Sequence, residues 1–128
     1  MISLPHAVRV FLHTPATDLR KGFDALSGLV TTAFAQDPTS GHLFLFVNRR
    51  RDRLKILYWD RDGLAIWYKR LEKGSFQLPA VAHGAISVEM SPTQLTLILS
   101  GIDLRSARQR RRYQPPTPHA GKSVGSLL

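Results

Sequence analysis

Cysteine is absent from the 128 residues, which removes disulfides, thiolate nucleophiles and thiolate metal ligands and leaves a chain that does not need an oxidising compartment. A cytoplasmic location is the expectation. Long apolar runs are missing as well. No stretch approaches the roughly 20 residues of a membrane-spanning helix, and the opening MISLPHAVRVFLHTP lacks the basic stretch and apolar core of an export signal. Neither secretion nor a membrane partner is expected. Acidic residues are few, 9 Asp+Glu against 18 Lys+Arg, and they are dispersed, which leaves little material for a carboxylate-based catalytic centre.

What is present is positive charge. The formal net charge is +9 and the isoelectric point lies near 10.9, with arginine supplying most of the excess. A basic domain with clustered arginines carries the footprint of a polyanion binder, because neutralised phosphates release counterions. The competing reading is a basic face for an acidic protein partner. Hydrophobic residues make up 43% and charged residues 21%, close to the globular average, and the length suits one domain with one core.

Along the chain, Val8 to Leu12 (VRVFL) reads as a first strand, ended by Pro15. From Thr17 the period changes. Leu19, Phe23, Leu26, Val30 and Phe34 recur at helical spacing, which predicts an amphipathic helix with Thr17 or Asp18 as its N-cap and Asp37-Pro38 as its stop. Leu43 to Val47 (LFLFV) is apolar on both alternating faces, as a central, doubly covered strand requires. Asn48 to Arg53 is then an exposed hairpin loop. Leu54 to Asp60 and Leu64 to Leu71 are the next two strands. A three-residue loop, Arg61-Asp62-Gly63 with Gly63 left-handed, sets Ile56 near Tyr68, Tyr58 near Ile66 and Asp60 near Leu64. The stretch after Gly74 is irregular, Ile86 to Glu89 is a short strand, and Ser91-Pro92 opens a second helix that Gly101 ends. The expected fold is therefore α+β: one domain over residues 1–104, with a mostly antiparallel sheet of four or five strands and two helices. Residues 105–128, basic and then rich in Pro, Gly and Ser, form a flexible tail.

Candidate chemistry is sparse. The five histidines, at 6, 13, 42, 83 and 119, are scattered, and neither an HExxH nor a GxSxG occurs. Asp60 and Asp62 form a DxD that suits Mg²⁺ in a nuclease, but they flank a turn in which Asp-Gly serves backbone geometry. Gly121-Lys122-Ser123 ends like a phosphate-binding loop, yet Pro116 stands at the leading glycine position and no strand or helix flanks it. No catalytic residue, metal or cofactor is expected. The arginine clusters remain: Arg49, Arg50, Arg51 and Arg53 with Lys55, and Arg108, Arg110, Arg111 and Arg112 in the tail. Such forks grip phosphate and carry little base information. Tyr58, Trp59, Trp67 and Tyr68 would stack bases if exposed, or else pack the core from alternating strand positions.

Several segments read together resemble one family. These are Thr17 to Phe23 (TDLRKGF), Asp37 to Phe46 (DPTSGHLFLF), Lys55 to Asp60 (KILYWD), Leu71 to Phe76 (LEKGSF) and Leu99 to Asp103 (LSGID). In order and spacing they resemble the TnpB accessory proteins of the bacterial insertion-sequence family sixty-six, over about residues 3 to 105. The resemblance implies a role in DNA transposition beside a separate transposase and a further accessory protein, with no catalytic residues to carry over. Arg20 and Lys21 lie in the first motif, at a helix start where the dipole disfavours cations, and so join the candidate contacts for phosphate or an acidic partner. Two functions follow from this reading: DNA-backbone binding through the arginine clusters, or docking on the transposase without direct DNA contact.

Overall fold

The computed structural model describes residues 8–101. The elements run β1 (Val10–His13), α1 (Phe23–Ala33), β2 (Leu43–Val47), β3 (Arg53–Asp60), β4 (Gly63–Arg70), β5 (Ser87–Met90) and α2 (Pro92–Ser100). The five strands form one sheet in the order β4-β3-β2-β1-β5, in which only the β1–β2 pairing is parallel. The fold is α+β, as the alternation of patterns predicts. All five residues of β2 are buried, and the strand lies at the sheet's centre, where its unbroken apolar run belongs.

Strand alternation divides the core into two halves. Phe11, Phe44, Phe46 and Leu57 face α1, meeting Leu26, Val30 and Phe34. Val10, Leu12, Leu43, Leu45, Val47, Leu54 and Ile56 face the other way and pack on Leu95, Ile98 and Leu99 of α2 and on Leu71 and Phe76. At the ends of α2 the chemistry is local. The Ser91 side chain accepts from the Gln94 amide and the Gln94 side chain from the Ser91 amide, while Gly101 closes the helix at φ 82°. A cap of this kind contributes about 1 kcal/mol.

Two sequence expectations are corrected. The first helix starts at Phe23 rather than near Thr17, with Gly22 as an N-cap that offers no side chain. Asp18 instead closes a tight turn, accepting from the Arg20 amide at 3.0 Å. Thr17 is tied to the sheet, its amide bonded to the Val47 carbonyl at 2.9 Å. Leu19 belongs to the apolar stripe because it is buried against the α1 half of the core from this loop. The second correction concerns the β3–β4 hairpin. Its loop is two residues, Arg61-Asp62, and Asp60 pairs with Gly63. The positive φ falls on Arg61 (58°) rather than Gly63, so the register moves by one. Ile56 then faces Trp67, Tyr58 faces Ala65 and Leu57 faces Ile66.

His13 gives the fold a pH dependence. Its ring sits 5.8 Å from both Phe34 and Phe46, its Nδ1 is buried without a hydrogen-bond partner, and burial pushes its pKa down. The unfolded chain takes up that proton near pH 6.5 and the folded chain resists it, so stability is full above that pH and declines below it. A urea-midpoint series from pH 7 to pH 5 should show this decline, and His13→Phe should flatten it.

Candidate nucleic-acid interface

The loop between β2 and β3 is built around Asn48. Its side-chain oxygen accepts from the amides of Asp52 (3.1 Å) and Arg53 (3.0 Å), its amide nitrogen donates to Asp52 Oδ1 (2.7 Å), and its carbonyl accepts from the Arg51 amide (3.0 Å). The bond from Asn48 holds the Asp52 carboxyl below its ordinary pKa, with Arg50 and Arg53 adding to the effect. The loop is also anchored from outside. The Phe76 amide donates to the Arg51 carbonyl and the Leu71 amide to the Asp52 carbonyl, each at 2.7 Å. These ties fix the two ends of the loop, and Arg49, Arg50 and Arg51 are exposed. Arg51 sits at φ 60°, a region that costs a branched or long side chain on the order of 1 kcal/mol and that Gly occupies freely.

The register of the hairpin assembles a second cationic group on the α1 side of the sheet. Arg53 lies opposite Arg70, and Lys55 lies opposite Tyr68. Lys55 Nζ is 4.9 Å from the centroid of the Tyr68 ring and donates to the Lys21 carbonyl at 2.9 Å. Lys21, and with it Arg20, is thereby brought to the same face as Lys55, just ahead of the uncapped start of α1. Like charges directly opposite on neighbouring strands destabilise a sheet, so the Arg53–Arg70 pairing is a cost that packing does not explain.

Ion pairing within the chain offsets this charge only in part. Arg20 bonds Asp18 at 2.7 Å and Arg70 bonds Glu72 at 3.3 Å. The Arg20 guanidinium holds the Asp18 carboxyl well below the usual carboxylate range. Arg49, Arg50, Arg51 and Arg53 form no ion pair among the described residues.

Of the sequence candidates, Arg49, Arg50, Arg51 and Arg53 therefore share one loop and its exit, and Lys55 joins Arg20 and Lys21. Arg108, Arg110, Arg111 and Arg112 lie outside the described residues, as does the tail from residue 105. Arg70 escaped sequence reading, since only the register places it beside Arg53. Among the aromatics, Tyr58 and Trp67 pack against the α2 half of the core, whereas Tyr68 is 48% exposed. Asp60 and Asp62 flank and form the hairpin turn, and no group of three or more metal-ligating side chains comes together among the described residues. No helix among them is long and apolar enough to cross a membrane.

Fold and surface together define a small α+β domain that presents exposed arginines beside a half-exposed tyrosine. The chain belongs to the IS66 Orf2-like protein family, whose pattern matches residues 8–109, and membership supports an accessory role in insertion-sequence transposition. Two curated relatives come from Sinorhizobium fredii (strain NBRC 101917 / NGR234). The uncharacterized protein y4jC is 35% identical over 115 residues, covering 90% of this chain and 97% of that protein. The uncharacterized protein y4hO is 39% identical over 105 residues, covering 82% and 90% respectively. No solved structure matches the chain.

Proposed function

We propose that this protein is a non-enzymatic accessory factor of transposition that binds the DNA backbone through the Arg49–Arg51 loop and the adjoining face of Arg20, Lys21, Arg53, Lys55 and Arg70. The observation that carries the reading is the Arg53–Arg70 juxtaposition beside a run of exposed arginines that form no ion pair among the described residues. Arg70 is paired with Glu72, whereas Arg53 and the Arg49–Arg51 run have no ion pair among the described residues and leave charge that a bound phosphate neutralises. The exposed Tyr68 ring suits stacking on a base or sugar. Phosphate contacts of this type fix position without reading sequence.

The test is a mobility-shift titration of the full chain on insertion-sequence ends and on random duplexes, across 50–200 mM salt. Backbone binding gives closely similar affinities for both DNAs and a steep linear fall of log K with log salt, about 0.9 per phosphate contact. Absence of any shift at the lowest salt, with transposase captured equally well after nuclease treatment, would replace this reading with protein docking.

A further inference from the structure

The outer edge of the sheet at β4 is eight residues long, GLAIWYKR, and contains neither proline nor a bulge. Edges of that length are templates for pairing unless blunted. At the opposite edge, β5 has only four residues.

The hydrogen-bonding phase of β4 follows from the structure. The Leu71 amide bonds the carbonyl of Asp52, its register partner, just past the Arg53–Arg70 pair. Odd-numbered residues of β4 therefore bond β3, and Leu64, Ile66, Tyr68 and Arg70 direct their N–H and C=O groups outward.

We propose that β4 pairs antiparallel with β4 of a second copy of this chain, about a two-fold axis at Ile66, joining two five-stranded sheets into one. A two-fold antiparallel pair must be centred on one residue facing its own copy, because neighbouring pairs alternate between bonded and non-bonded types. Centring on Ile66 or on Trp67 uses the outward groups, so the side chains decide. Centring on Ile66 sets Leu64 against the partner's Tyr68, Ala65 against the partner's Trp67 and Gly63 against the partner's Lys69, matching small with large along both faces.

The charge pattern selects the same register. Asp62 immediately precedes the strand and Arg70 ends it, so each Asp62 meets the partner's Arg70. Centring on Trp67 instead sets Asp62 against the partner's Glu72, two like charges. Arg70 is bonded to Glu72 within its own chain, but with side chains 60% and 56% exposed this pair rearranges at little cost.

The experiment is sedimentation equilibrium of the full chain, with charge exchange. Wild type should sediment at twice the chain mass, Asp62→Arg and Arg70→Asp should each raise the dimer Kd at least tenfold, and Asp62→Arg/Arg70→Asp should restore it. As a register check, Ile66→Cys introduces the only thiol of the chain, opposite its own copy at about 5.5 Å between Cα atoms, within disulfide reach. Rapid oxidation to a covalent dimer supports the pairing. A monomeric wild type at 100 μM, or single charge variants that dimerise as wild type does, would overturn it.

Discussion

Replacing Arg49 and Arg50 with Ala and Arg51 with Gly is expected to weaken duplex binding by up to a few hundredfold at 0.1 M salt, for every DNA sequence alike. The estimate follows from three phosphate contacts at about 0.9 each in the slope of log K against log salt, a loss of about 2.7. The deficit should shrink as salt rises. Glycine is chosen at position 51 because the backbone there has φ 60°, so the melting temperature should hold or rise slightly while affinity falls. That opposite movement separates loss of contacts from loss of fold. An unchanged salt slope would show that the loop does not touch phosphate.

The second large effect is on stability. Phe44 is fully buried at the centre of the sheet, stacked on Phe11 with centroids 5.6 Å apart and tilted against Phe34 at 5.3 Å. Phe44→Ala removes both contacts and opens a cavity between the central strand and α1, where the backbone cannot collapse because β2 is paired on both sides. The cost should be about 3–5 kcal/mol, a large share of the 5–15 kcal/mol typical of a domain. In urea the midpoint should fall with the slope m unchanged. Phe23→Ala is the comparison. Phe23 is 48% exposed, and its replacement should move the midpoint far less.

Those effects rest on features that differed in how legible they were in the sequence. The ends of α2 were readable because Ser91, Gln94 and Gly101 act within a few residues of one another. β2 was readable because a strand buried on both faces has to be apolar throughout. The start of α1 was not: Leu19 continues the helical stripe in spacing, yet it reaches the core from a turn fixed by Asp18 and by the Thr17–Val47 bond. The β3–β4 register is hidden for a similar reason. Gly63 is the obvious residue for a left-handed turn, and the structure places the positive φ on Arg61. One residue of slip decides which side chains share a face. The pairing of Arg53 with Arg70 and of Lys55 with Tyr68, on which the proposed interface depends, was therefore hidden until the hairpin was seen. The Arg49–Arg51 run was plain, but the meeting of Lys55 with Lys21 rests on a bond that no local pattern announces.

The placement of β5 bears on how the molecule is made. β1 is synthesised early, and one side of it stays open until Ser87–Met90 arrives to pair Val10 with Met90 and His13 with Ser87. Pairings this distant in sequence slow folding, because a long loop must close before they form. A chain halted before Ser87 would present β1 in place of β5 as the margin at that end of the sheet. Val10, Phe11 and Leu12 are all buried in the finished fold, so the last strand covers an apolar template that a halted chain would offer to other chains.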